Sequence, residues 1–294
     1  MILAVGEALM ELRRATTDGA VAAPGEWSGP FPSGAPAIFA SVAARLGAPV
    51  ALAAAVGDDR FGHALLERLV RDGVRADAIR TVAGRATAVA FVAYDDSGGR
   101  DFWFSVHDSA AVEVQPQAIA AIAQDADWLH VSGSTLAFGG GLAEAVEAAA
   151  EVVLGNGGRL SVDPNLRPDA HALARERTVR LARRAQVLFP SEGELAALGV
   201  TEDELIAGGA LVCATLGGAG ALLSGTAVGP EPVAVPAPAT EEVDPTGAGD
   251  TFAAAFVTAL RDGATPVAAA EAACDLASRS VAVLGAMESP VGLR

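Results

Sequence analysis

The amino-acid sequence predicts an α/β fold: a mostly parallel central sheet with helices on both faces, and a small β flap. Short apolar runs alternate with Ala-rich segments of helical periodicity along most of the chain. Such alternation implies βαβ connections, hence parallel strands covered on both sides. Two stretches, residues 11–31 and 87–106, break the rhythm and are assigned to the flap.

In chain order, residues 2–5, 50–55, 128–131, 160–162, 187–189 and 210–214 read as buried strands. Helical patterns fill 35–46, 61–72, 141–154, 171–185 and 192–198. The segment 11–31 is rich in Gly, Pro and Thr. Residues 87–94 and 100–105 alternate in polarity around Asp95-Asp96-Ser97-Gly98-Gly99 and predict a hairpin. Its Phe102-Trp103-Phe104 is the densest aromatic cluster in a chain with 5% aromatics, so it covers core, a partner chain or a ligand. A short strand at 233–235 and helices at 249–261 and 266–283 complete the pattern. The 294 residues allow one large α/β domain or two smaller ones. With no repeat or low-complexity linker visible, 1–294 is read as one domain, its lid formed by about 11–31 and 87–106.

All 20 basic side chains are Arg, and the formal net charge is −16. Without Lys there can be no GxxxxGK[ST] phosphate loop, no Schiff-base enzyme and no protein kinase of the usual pattern. A pI of about 4.6 argues against nucleic acid and anionic membrane as partners. Cys213 and Cys274 lie in apolar surroundings and read as core thiols. His63, His107, His130 and His171 show no metal spacing and read as structural or surface residues, His107 lying close enough to the flap to touch a ligand. The N-terminus lacks a basic n-region, and no apolar stretch is long enough to span a bilayer, so a cytoplasmic protein is expected.

The most informative run is Asp244-Pro245-Thr246-Gly247-Ala248-Gly249-Asp250-Thr251-Phe252, followed by the apolar segment 253–260. Small residues at 247–249 let backbone N–H groups converge at a helix N-terminus, where an anion is favoured. An acid in such a cradle repels phosphate, unless it removes a proton from an attacking hydroxyl while the N–H groups hold the charge on the transferred group. The alternative is a turn with Asp250 or Thr251 as an ordinary helix cap.

These nine residues resemble the C-terminal signature of ribokinase-like (PfkB family) carbohydrate kinases. Other pieces follow in that family's order: Gly6-Glu7 with Glu11 on the first strand, Gly34-Ala35-Pro36-Ala37, the run from Val56 to Gly62, Asp163-Pro164-Asn165-Leu166-Arg167, Pro190-Ser191-Glu192-Gly193-Glu194, and Thr215 to Gly220. The resemblance implies a ribokinase-like three-layer sandwich with a β-sheet lid, acting as an ATP-dependent sugar kinase. Asp250 would be the general base, and the N–H groups of Gly247, Ala248 and Gly249 the anion hole for the γ-phosphoryl group. Thr215, Leu216, Gly217, Gly218 and Gly220 would wrap the nucleotide, with Asn165 and Ser191 beside it; a plain β-turn at 215–220 is the alternative. Glu194 would organise magnesium through water, although Ser191 stands where the family motif has Asn; otherwise Glu194 is an exposed acid favouring a helix dipole.

On the sugar side the resemblance assigns Glu11 to accept from hydroxyls and Gly34 to allow close backbone approach. Ile38 occupies a position where the family usually has Asn, so an amide contact is replaced by an apolar one. Arg167 resembles an arginine placed near the sugar or the transferred phosphate; a salt bridge to Asp163 or Asp169 competes. Keto-acid kinases carry a flap arginine two residues past an aromatic. Here those positions are Trp103 and Ser105, so a neutral sugar is expected. Trp103 could otherwise belong to flap or dimer core. Residues 31–39 with Gly285-Ala286-Met287-Glu288 resemble a ketohexose branch, tagatose or fructose kinases. Family members often hold potassium, for which Asp244, Ser280, Val283, Gly285 and Ser289 are candidates; Asp244 capping its own turn competes. A nucleoside kinase with Trp103 and Phe39 clamping a base, and a non-catalytic sugar- or nucleotide-binding protein, stand as alternatives. No GxGxxG follows the first strand, which disfavours a dehydrogenase. Exposed aromatics on the flap predict a homodimer through the lid.

Overall fold

The computed structural model describes residues 1–17, 20–94, 99–167, 170–289 and 291. The chain begins with β1 (Ile2–Val5), β2 (Leu9–Arg14), β3 (Trp27–Ser33), α1 (Ala35–Arg45), β4 (Val50–Gly57), α2 (Arg60–Asp72) and β5 (Ile79–Val82). The flap hairpin β6 (Ala88–Tyr94) and β7 (Arg100–Ser105) is followed by α3 (Pro116–Ala123), β8 (Trp128–Ser132), α4 (Gly133–Phe138), α5 (Gly140–Gly155) and β9 (Arg159–Asp163). Next come α6 (Ala172–Ala182), β10 (Val187–Leu188), α7 (Glu194–Leu198), α8 (Glu202–Ala207), β11 (Leu211–Thr215), β12 (Ala221–Ser224), β13 (Val233–Val235), α9 (Ala248–Arg261) and α10 (Pro266–Ser280).

The large sheet has the order β13-β12-β11-β10-β9-β8-β1-β4-β5. From β11 to β5 neighbouring strands are parallel; β12 and β13 add antiparallel edges. One apolar layer packs α1, α9 and α10 on one face, with Phe39, Phe189 and Phe256 at its centre. A second, richer in Ala, packs α3 and α5 on the other. This is the three-layer sandwich expected, and β4 and β8 are buried at every residue, as strands covered on both faces are. Chain order reverses at β1, which lies between β4 and β8, so the carboxyl end of β1 is a topological switch point, where open α/β sheets bind ligands.

The lid is a separate sheet of order β3-β2-β6-β7, with β2 and β6 parallel. Its strands extend past the expected 11–31 at both ends, to Leu9 and Ser33, and use only the two ends of that segment, β2 stopping at Arg14 and β3 starting at Trp27. Glu11 is therefore on the lid strand β2 and not on the first strand of the main sheet. The turn expected at 95–99 falls mostly outside the described residues, as does Asp169. Periodicity did not reveal β5, β12, α3, α4 or α8. The edge strand β5 exposes Arg80 and Thr81, so its apolar signal is weak. α4 and α8 are six-residue helices, too short to establish a helical period.

Gly133, where β8 passes into α4, is packed beneath the loop after β9: an added Cβ would lie 1.8 Å from the Pro164 carbonyl oxygen. Gly133→Ala is expected to lower stability by about 2–3 kcal/mol through overpacking, read as a shift in the urea midpoint at unchanged m-value. An unchanged midpoint would show that the 163–167 loop moves freely.

Candidate active site

The carboxyl ends of the parallel strands deliver most of the site. Glu7 follows β1, Ser134 and Thr135 follow β8, Asp163 ends β9, Ser191 follows β10 and Thr215 ends β11. Of these, Glu7, Asp163, Ser191 and Thr215 line, with the lid and the first turn of α9, one cavity of about 800 Å³, and Ser134 and Thr135 stand behind Glu7.

The turn 244–247 and α9 form its floor. Gly247 has φ 77° and caps the helix; a Cβ there would meet Ala286 Cβ at 3.0 Å and Ile38 Cδ1 at 3.2 Å, so only glycine fits. The N–H groups of Gly249 and Asp250, second and third residues of the helix, have no intrahelical acceptor. Ala248 differs from expectation, since its N–H already makes a long bond, 3.3 Å, to the Pro245 carbonyl. Asp250 is buried, and its Oδ1 has no hydrogen-bond partner. Burial, then the negative charge of Glu7, push its carboxyl up to about 7; Arg167 partly opposes them. Asp163, absent from the sequence-derived site, lines the same cavity. Its carboxyl is raised well above the ordinary range by burial and by Glu194 and Asp250.

At one end Thr215, Leu216, Gly217, Gly218 and Gly220 line the cavity beside 237–240 and Ala277, Ser278 and Val281. The latter residues carry no motif and were not legible in the sequence. Gly220 also has a packing role: at φ 101° its Cβ would lie 2.1 Å from the Val235 carbonyl oxygen. Cys274 is core as expected, but it lines this end as well. Asn165 adopts φ 35°, with its N–H donating to Asp163 Oδ1 and its Nδ2 to Ser132 Oγ. Glu194 Oε1 accepts from the Leu166 N–H at 2.6 Å and Oε2 from the Ser191 N–H at 2.7 Å. It ties two loops together and still faces the cavity, so it is not the free exposed acid of the alternative reading. Among the described residues no cluster of three His, Cys, Asp or Glu is built to hold a metal. A carboxylate beside a triphosphate-sized space fits Mg²⁺, which keeps most of its water and takes phosphate oxygens.

At the other end Glu11, Ser33, Gly34 and Ile38 line the cavity under the lid. Glu11 Oε2 accepts from Ser33 Oγ and Oε1 has no partner; burial and Asp244 push this carboxyl up to about 7. Gly34 has φ 106°, and a Cβ there would lie 2.6 Å from the Glu7 carbonyl oxygen, so it serves the protein's own packing as well as any ligand. Trp103 and Ser105 do not line the cavity. Strand β7 alternates faces, so Phe102 and Phe104 point in while Trp103, 54% exposed, packs against Phe91 on the outer face. Phe39, proposed with Trp103 as a clamp, is buried against His130 at a centroid distance of 3.8 Å, so that clamp does not form. The Arg167 guanidinium lies 4.9 Å over Phe102 and 5.3 Å over Phe104, with Nε unpartnered. Ring faces lie against it, and the competing salt bridge to Asp163 does not form.

Asp244 is 1% exposed and accepts from the N–H groups of Thr246 and Gly285, as a turn-capping carboxylate does. Ser280 Oγ is engaged by the Ala277 carbonyl. The Ser289 hydroxyl is buried without a partner, which fits a cation ligand.

Asp250 has a folded-state pKa of about 7 against an ordinary value of 3.8. The folded protein thus binds more protons than the unfolded chain between these values, and stability falls as pH rises through that window. Asp250→Asn is expected to raise Tm at pH 8 relative to the parent, with the difference shrinking towards pH 5. Parallel melting curves at pH 5, 6.5 and 8 check this, and a constant offset would contradict it.

Known proteins share this architecture. A fructokinase of Klebsiella pneumoniae is 33% identical over 260 residues, 84% of this chain and 82% of its own. An Escherichia coli protein provisionally described as a ribokinase II, solved with ATP and Mg²⁺, superposes with a TM-score of 0.87 at 33% identity, covering 98% and 94% of the two chains. A fructokinase of Vibrio cholerae O395, solved with fructose, ADP and calcium, gives 0.82 at 26% identity over 98% and 95%. Residues 1–291 match the family model described as pfkB family carbohydrate kinase; the chain belongs to that family.

Proposed function

We propose that the protein transfers the γ-phosphoryl group of ATP to a primary hydroxyl of a neutral sugar, a ketohexose such as fructose. The observation that carries the reading is Asp250, a buried carboxylate with an unpartnered oxygen at the N-terminus of α9, in one cavity with Glu11 and the glycine turn. Its free oxygen takes the proton of the acceptor hydroxyl as the new O–P bond forms and the bond from the γ-phosphorus to the bridging oxygen breaks, leaving ADP. The N–H groups of Gly247 and Gly249, with that of Ala248 once released from Pro245, face the charge of the transferred group. Glu11 and Ser33 orient the sugar, and Ile38 gives it a dry contact beside the anion turn. Residues 215–220 hold the nucleotide with Asn165 and Ser191, and Glu194 would hold a water of Mg²⁺, which neutralises phosphate charge when bound. A monovalent cation such as potassium between Asp244 and Ser289 would steady the 244–247 turn.

Arg167 is the only Lys or Arg among the described lining residues. A sugar acid would set its carboxylate among Glu7, Glu11, Asp163 and Asp250, so the neutral substrate is favoured. The fructokinase relatives favour a ketohexose. One observation supports a nucleoside instead: Phe102 and Phe104 stack at 5.5 Å and 10° on the cavity wall and could receive a base. The outer lid face, where Phe91 contacts both Trp27 and Trp103, supports a homodimer through the lid.

ADP release with ATP and Mg²⁺ over fructose, tagatose, ribose, 2-keto-3-deoxygluconate and adenosine is expected to be highest for a ketohexose; adenosine in first place would establish the nucleoside reading. Asp250→Asn should lower kcat by about 10³-fold or more, taking the upper part of the range for general base catalysis. In the parent, kcat should fall about tenfold per pH unit below 7 as the base is protonated; full turnover in Asp250→Asn would remove Asp250 from the mechanism. Trp103→Ser should shift gel-filtration mass towards the monomer, and an unchanged dimer would place the interface elsewhere.

A further inference from the structure

The Gly6-Glu7 pair at the switch point has no part in the mechanism above, yet Glu7 is among the most constrained side chains in the molecule. It is 2% exposed at the cavity wall. Oε1 accepts from Ser134 Oγ at 3.0 Å and Oε2 from Thr135 Oγ1 at 2.6 Å. Glycines make room for it on both sides. A Cβ on Gly6 would lie 2.4 Å from Thr135 Oγ1, and one on Gly34 would strike the Glu7 carbonyl.

The hydrogen bonds behind Glu7 have one consistent direction. Asn165 Nδ2, a donor only, reaches Ser132 Oγ at 3.1 Å, and Ser132 Oγ lies 2.9 Å from Ser134 Oγ. Ser134 spends its single proton on Glu7, so Ser132 donates to Ser134, and the chain ends on a carboxylate that only accepts. Hydrogen bonds from Thr135 and Ser134 favour the ionised form of Glu7, while burial, the larger effect, leaves its carboxyl raised. When ionised, Glu7 sets a second negative charge on the wall of the cavity that Asp250 lines.

We propose that Glu7 is a positioning residue for the transfer: a carboxylate held by Ser134 and Thr135 at the wall of the cavity that Asp250 lines, it acts on Asp250 through its charge without binding either substrate. The other charged groups facing Asp250 are Glu11 from the lid, Asp163 from the end of β9 and Arg167 from the loop after it. Arg167 opposes the carboxylates. Among them Glu7 has the largest influence on Asp250 after burial. The arrangement has a use. An aspartate of ordinary affinity is a weak base towards an alcohol, whereas one tuned to neutrality accepts the proton more readily while about half of it stays ionised in a neutral medium.

The proposal rests on Asp250 being the base, so both are tested together in the pH profile of kcat for the full chain. Glu7→Gln keeps the shape and the hydrogen-bonding reach of the side chain but removes its charge. It is expected to move the acid limb down by about one pH unit, the effect of one nearby buried charge, with a smaller change in KM for sugar and ATP. Glu7→Asp, which keeps the charge, should restore most of the limb's position. Thr135→Val, which strips the 2.6 Å bond and leaves Glu7 in place, should move the limb the same way by a smaller amount, and it serves if Glu7→Gln does not fold. A limb that stays put in both Glu7→Gln and Thr135→Val while Asp250→Asn is inactive overturns the role of Glu7 alone. If Glu7→Gln does not fold, an unmoved limb in Thr135→Val overturns it. Full turnover in Asp250→Asn overturns the base assignment beneath it.

Discussion

The structure depends on crowding of negative charge. Glu7, Glu11, Asp163 and Asp250 face one cavity, and Arg167 is the only side-chain cation among its described lining residues. Each of these carboxyls is raised by burial, so the folded protein holds them against an electrostatic cost that no local interaction fully offsets. The aliphatic sheet and its two apolar layers supply the stability that makes this tolerable. Strained and self-repelling groups persist where the surrounding fold over-determines them, and such places are commonly functional.

The same constraint explains how the site dispenses with lysine. A helix N-terminus, a glycine at positive φ and backbone N–H groups present positive potential without a flexible ammonium. That potential is fixed in direction by α9, whose position depends on close packing of Gly247 against Ile38 and Ala286. Ile38 thus has two roles. It lines the cavity as an apolar surface and packs beside Gly247 in the turn before α9. Arg167, resting on two phenylalanine rings, keeps its charge near the carboxylates without being neutralised by any one of them.

The lid and the anion turn are mechanically joined. Tyr94 Oη lies 2.7 Å from Thr246 Oγ1, and the Arg13 guanidinium donates to the Val243 carbonyl at 2.7 Å while lying 5.0 Å over the Tyr94 ring. Glu11 sits two residues from Arg13 on β2, so it lies on the strand that grips the turn. On the far side, Arg45 takes the carbonyls of Met287 and Ser289, and Arg68 also reaches Met287 and Glu288. The 244–247 turn is thus tied to the lid by Tyr94 and to the C-terminal segment by the Gly285 N–H, which donates to Asp244.

The sequence by itself determined the layers, the parallel sheet and the place of Asp250 among small residues. Apolar runs and helical periods are local, and a glycine-rich turn before a helix is legible as a helix start. The family resemblance singled out Glu194, Glu11 and the 215–220 turn, which the structure brings to one cavity, Glu11 from the lid and not from the first strand. Tertiary structure alone decided which face of β7 looks inward, replacing Trp103 and Ser105 by Phe102 and Phe104, because strand register depends on partners distant in sequence. It alone brought Glu7, Asp163 and Asp250 into one cavity from three separate elements, and so gave these carboxyls proton affinities that no sequence pattern encodes: burial and mutual charge are properties of assembled space.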